Sequence, residues 1–136
     1  MGTIATDKRK IILYYHSENS LGKQAYGYLQ ASKKKILAID ISKTKVTGMQ
    51  WLEISENLHT ILSKLVNQDH PNFKDHYDSG ITLDKEDWIK VLQNHPETLR
   101  CPILIDGNNY HLIETPSEIS KHLEKEDTSI DTRSKK

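Results

Sequence analysis

Two short apolar runs with one amphipathic helix between them constrain this chain more than any other feature. Lys10 to Tyr15 is almost entirely apolar and aromatic, and Ile36 to Ile41 reads Ile-Leu-Ala-Ile-Asp-Ile. Continuous runs of that length suit strands buried on both faces. Between them, His16-Ser17-Glu18-Asn19-Ser20 is rich in turn and cap formers, and Leu21, Ala25, Tyr28, Leu29 and Ser32 follow helical spacing. A helix from near Ser20 to the lysine run Lys33-Lys34-Lys35 completes a βαβ unit, for which a right-handed crossover is expected.

The middle of the chain changes character. Thr47 to Leu65 reads helical in two pieces, with Met49, Leu52, Leu58, Ile61, Leu62 and Leu65 as expected apolar contacts. Asp69 to Gly80 reads as a polar loop carrying Pro71 and the lone Phe73. Asp84 then caps a helix with Glu86 and Asp87 in its first turn, where they complement the dipole. Trp88, Ile89, Val91 and Leu92 form its inward stripe, and His95-Pro96 ends it. Trp51 and Trp88, spaced among leucines, read as packing residues.

The last third predicts a hairpin and a helix. Pro102 to Ile105 and Tyr110 to Ile113 flank Asp106-Gly107-Asn108-Asn109, a strong turn signal. Thr115-Pro116-Ser117-Glu118 has the form of a capping box with proline at the first helical position, which predicts a helix from Pro116 to Leu123. The expected domain therefore spans residues 9–124, with a flexible start over 1–8 and a disordered polar tail over 125–136. The order β-α-β, helical insert at about 44–96, β-β-α is that of an α/β thioredoxin-like fold with a four-stranded mixed sheet.

Composition removes several function classes. Lys+Arg and Asp+Glu are 19 each, so the formal charge is zero and a basic nucleic-acid footprint is not expected. No apolar run approaches the length of a membrane span or signal segment. One cysteine among 136 residues precludes an internal disulfide and fits a reducing, cytoplasmic setting. His70 and His76 with Asp69 and Asp75 lie close in sequence, but neighbours of that kind arise by chance among seven histidines, so no metal site is expected.

Tyr15-His16, Asn94-His95-Pro96, Leu99 to Asp106 and Pro116-Ser117-Glu118-Ile119, in that order, resemble the arsenate reductase and Spx family. The resemblance spans about Lys10 to Leu123 and includes the insert, which plain glutaredoxins lack. It implies a site where the first helix N-terminus faces a cis-proline, here Pro102. It also shows losses. The family's reactive cysteine position falls on Ser20, and the Ser-Arg pair beyond it falls on Lys23 and Gln24. The family's oxyanion-holding arginines fall on Cys101, Thr115 and Ser63, and the Cys-x-x-Cys of Spx regulators is absent.

A helix dipole worth at most about 2 kcal/mol cannot ionise a serine hydroxyl near neutrality, and no triad-like spacing supplies a general base. His16 reads as a strand-end histidine at a turn. The resemblance thus implies a non-catalytic binding or regulatory module. Its cleft would be formed by Asn19, Ser20, Gly22, Lys23, Arg100, Cys101 and Pro102. That helix end would accept a small anion, and analogy with Spx suggests a protein partner such as RNA polymerase, with no cofactor and no membrane. The alternative is a glutathione-linked thiol oxidoreductase using Cys101, the chain's only thiol. A third reading, a structural protein without a small ligand, predicts a cleft closed by Leu21 and Tyr26.

Overall fold

Strands form where the apolar runs lie. The computed structural model describes residues 11–32, 36–78 and 81–123. The expected flexible start, the lysine run and the polar tail beyond residue 123 lie outside them. The elements are β1 (Ile11–Tyr15), α1 (Ser20–Gln30), β2 (Ile36–Asp40), α2 (Gly48–Asn57), a 3-10 turn at Leu62–Leu65, α3 (Pro71–Lys74), α4 (Lys85–Asn94), a 3-10 turn at Pro96–Thr98, β3 (Ile103–Asp106) and β4 (Asn109–Leu112). A last helix, α5, occupies 118–123. None of these helices is long and apolar enough to cross a membrane.

The sheet order is β2-β1-β3-β4, with β1 parallel to β2 and the other two pairs antiparallel. This is the mixed α/β architecture expected from the order of elements. Alternation along the central strands divides the core in two. Ile11, Leu13, Tyr15 and Leu104 point to the face covered by α1 and α5, where they meet Ala25, Leu29, Ile119 and Leu123. Tyr14, Ile103 and Ile105 point to the opposite face, which the insert covers with Trp51, Leu65, Phe73, Trp88, Val91 and Leu92. Each large side chain removed from water in this way contributes about 1.5–3 kcal/mol. Both tryptophans are core residues, as their spacing predicts, although Trp51 Nε1 is buried without a hydrogen-bond partner.

Several expectations shift. Met49 is 81% exposed rather than packed, because α2 turns Trp51, Ile54 and Ser55 inward instead, and Ile61 is 62% exposed on the extended step before the 3-10 turn, which buries Leu62 and Leu65. The polar loop after Asp69 contains α3. His70 caps it through Nδ1, Pro71 holds its first position, and Phe73 is driven into the core against Trp88, with ring centroids 5.8 Å apart.

The hairpin turns on Gly107 at φ 62° and pairs Asp106 with Asn109, so β4 starts one residue earlier than predicted. Positive φ at the first of two turn residues is the type II′ arrangement that glycine permits. In the expected capping box only the Glu118 carboxylate returns to the Thr115 N–H, at 2.9 Å, and residues 116–117 form a turn before α5 rather than its first helical residues. Among the described residues no peptide bond is cis, so Pro102 is trans. Chain entry into β3 is fixed instead by the Arg100 N–H on the Leu65 carbonyl, at 2.7 Å, and by the bridge of Val66 to Leu99. An extended trans approach meets those bonds at no conformational cost.

Candidate functional site

The corner where β1 gives way to α1 is built by local hydrogen bonds. Asn19 has the extended backbone of an N-cap, and its side-chain oxygen accepts from the Leu21 and Gly22 N–H groups at 2.9 and 3.2 Å. Those are two of the four donors that a helix start leaves unpaired. The Asn19 N–H in turn reaches the His16 carbonyl at 3.1 Å. Gly22 is buried against that same carbonyl, and a Cβ there would overlap its oxygen and lie 3.1 and 3.2 Å from the His16 backbone N and C.

From β2, the Asp40 carboxylate accepts from the Ser17 N–H at 3.1 Å and from the Ser42 N–H and hydroxyl at 3.0 and 2.7 Å. Partial burial pushes the Asp40 carboxyl upward, but hydrogen bonds from Ser17 and Ser42 outweigh it and bring its pKa to about 2. The loop is thereby tied to the end of the neighbouring strand.

The residues of the expected cleft take different roles. Ser20 is exposed, and its Oγ accepts from Gln24 Nε2 at 3.2 Å. Lys23 is exposed on α1. Arg100 points its guanidinium to the Lys64 carbonyl (3.0 Å) and to Glu114 (3.3 Å). Cys101 is 4% exposed. Burial pushes its thiol pKa up, the Arg100 charge pulls it down, and Glu114 and Glu118 push it up again, so the net direction is upward. An activated thiol needs the opposite balance and access to solvent. Pro102 is buried and offers its carbonyl to the Ile113 N–H at 2.9 Å. Tyr26 stacks on Tyr15, with ring centroids 4.9 Å apart.

Beside this corner lies an open polar pocket of about 530 Å³. Of the expected cleft residues only Asn19 lines it, together with His16, Glu18, Ser42, His70, Asn72, Pro96 and Glu97. His16 is 6% exposed, and its Nδ1 accepts from the Glu18 N–H at 3.1 Å. His70 Nδ1 accepts from the Asn72 N–H, also at 3.1 Å. Glu97 takes a bond from Asn72 Nδ2 at 2.8 Å and meets His95 Nδ1 at 3.2 Å. Burial raises the Glu97 pKa, but these contacts and its own N–H outweigh burial and hold it below the usual carboxylate value.

The pocket was not legible as a set, since its walls come from four separate segments. The pair His95-Pro96 followed by Glu97 was the nearest signal. A second, mostly apolar cavity of about 660 Å³ lies within the insert between α2 and α4, lined by Leu52, Leu62, Leu83 and Trp88 among others. Ser63 lines this second cavity. Among the described residues no group of three or more His, Cys, Asp or Glu side chains is arranged to hold a metal.

A four-stranded mixed sheet, α1 and α5 on one face and a helical insert on the other define a thioredoxin-like fold. The solved structures it is similar to include arsenate reductase from Vibrio cholerae, with 11% identity, 83% of this chain and 97% of that chain covered, and a TM-score of 0.71. An arsenate reductase candidate from Yersinia pestis matches at 12% identity over 82% of this chain and 99% of that one, with a TM-score of 0.68. An arsenate reductase-related protein from Brucella melitensis matches at 13% over 84% and 94%, with a TM-score of 0.61. At such identities the likeness is one of fold. No protein-family model matches the sequence, and no curated protein does.

Proposed function

We propose that this chain is a degenerate relative of the arsenate reductase and Spx group that acts as a non-catalytic binding or regulatory module. The observation that carries the reading is the state of its one thiol. Cys101 is 4% exposed and its pKa is displaced upward by burial, while the helix start that would activate a thiol carries Ser20. Thiol chemistry needs a thiolate that a substrate can reach, and neither condition favours Cys101. Asn19 supports the same reading, since it already satisfies two of the N–H donors that would otherwise face an anion at the start of α1.

The test is the rate of Cys101 alkylation by iodoacetamide as a function of pH. The reading expects reaction slower than that of a free thiol, with a midpoint above about 8.5. Rapid alkylation with a midpoint near or below neutrality would overturn it in favour of a glutathione-linked oxidoreductase. A module of this kind also carries a protein partner, RNA polymerase by analogy with Spx. Co-purification of polymerase subunits with tagged protein supports that partner, and their absence across growth conditions removes it.

A further inference from the structure

We propose that the polar pocket beside α1 binds a neutral, polyhydroxylated small molecule of sugar size. The inference deepens the binding-module reading and rests on it. Its first support is a donor on a buried side chain that no described residue satisfies. His16 is 6% exposed, and its Nδ1 is committed as an acceptor to the Glu18 N–H. An imidazole that accepts at Nδ1 carries its proton on Nε2. Among the described residues that Nε2–H has no hydrogen-bond partner. It is also not sealed in, since Trp51 Nε1 is the sole fully buried side-chain nitrogen or oxygen without a partner among the described residues. His16 lines the pocket, so the free donor belongs there.

A second lining residue repeats the device. His70 accepts from the Asn72 N–H at Nδ1, which leaves its Nε2–H free as well. Asn19 spends its oxygen on the α1 cap and keeps its amide donors. The acceptors are the Glu97 and Glu18 carboxylates and the Asn72 side-chain oxygen.

Donors and acceptors thus both line a space of about 530 Å³, within the usual range of small-molecule sites. The two carboxylates oppose an oxyanion, and Glu97 is held ionised by its partners. A divalent metal at either Nε2 would need the lone pair that the backbone N–H bonds place on Nδ1. Hydroxyl groups both donate and accept, so a run of them meets every wall without burying an unpaired charge.

The experiment follows the ring nitrogens of His16 and His70 by NMR in the full chain at neutral pH. D-ribose, D-glucose, inorganic phosphate and zinc are each titrated separately. Saturable shifts at both rings with at least one sugar, and none with phosphate or zinc, are the expected result. His70→Asn keeps an α3 cap while withdrawing the Nε2 donor, and it should weaken sugar binding roughly tenfold. Glu97→Gln keeps an acceptor for Asn72 but removes the charge, and supplies the same comparison if His70→Asn does not fold. No saturable shift with either sugar, a shift with phosphate or zinc alone, or full affinity in the folded variants would overturn the proposal. The Cys101 alkylation profile is independent of all these outcomes, so failure here is separable from failure of the binding-module reading.

Discussion

Alanine substituted at two glycines of the same helix should change stability in opposite directions. Gly27 sits in the middle of α1, and a Cβ there would have nothing within 4 Å. Gly27→Ala therefore gains helix propensity without a contact to pay for it, and should stabilise the protein by about 0.5–1 kcal/mol. Gly22 gains the same propensity in principle. Its Cβ, however, would overlap the His16 carbonyl oxygen and approach the His16 N and C to 3.1 and 3.2 Å.

The obstructing atoms at Gly22 are backbone, so no rotamer change relieves them. The start of α1 must lift off the end of β1, which strains the Asn19 cap and the Asn19 to His16 bond together. Overpacking of this kind costs about 1–3 kcal/mol, more than the propensity gain of about 1 kcal/mol. Urea denaturation of the three proteins measures the difference directly. Gly22→Ala should lower the midpoint and Gly27→Ala raise it, with thermal midpoints moving about 4 °C per kcal/mol. If Gly22→Ala matches or exceeds the stability of the native sequence, α1 does not rest on the His16 carbonyl, and this account of the corner is wrong.

Other consequences can be tested alongside. His59 closes α2 in a left-handed conformation (φ 56°), its N–H bonding Glu56 and the Thr60 N–H bonding Ser55 in a Schellman arrangement. His59→Gly should relieve this strain and stabilise by about 0.5–1 kcal/mol in chemical denaturation, and any loss would refute it. Asp40 has a folded pKa below its unfolded one, so its contribution is present above about 3.8 and is lost as pH falls through about 2. The full shift corresponds to about 2.4 kcal/mol, and solvent screening of a half-buried group reduces this to about 1 kcal/mol. The stability gap between native protein and Asp40→Asn should accordingly close over that pH range, and a gap independent of pH would count against the Ser17–Asp40–Ser42 tie.

The strands and hairpin were readable because their signals are local. Ile11–Tyr15 and Ile36–Asp40 are short apolar runs bounded by turn formers, and Gly107 supplies a turn that few other residues adopt. The insert was only partly readable. Met49 fits an apolar pattern yet faces solvent, because a three-turn helix leaves room for more than one inward face and tertiary packing selected Trp51 and Ile54, while Ile61 falls on an extended step where helical spacing no longer applies. Phe73 was hidden by its polar neighbours, although His70-Pro71 is a usable cap signal in retrospect. Burial of Cys101 depends on how the segment before β3 docks on Leu65, and no local spacing encodes that. The pocket is less readable still, since residues 16–19, 42, 70–72 and 96–97 meet only once the insert has folded over the sheet.

On this fold the start of α1 can host chemistry only while its N–H groups remain free and a reactive side chain stands among them. Here the same positions serve cohesion. Asn19 caps the helix, Gly22 lets it close on His16, and Asp40 secures the loop from the next strand. A helix start with all its N–H groups free would be an anion cradle awaiting a ligand, whereas one partly filled by its own cap has less left to offer. The unspent hydrogen-bonding capacity lies one step away, on His16 Nε2 and on the walls contributed by α3 and the turn after α4. A ligand held at this corner would therefore meet neutral donors paired with carboxylates rather than a helix dipole, a combination that favours hydroxyl groups over oxyanions.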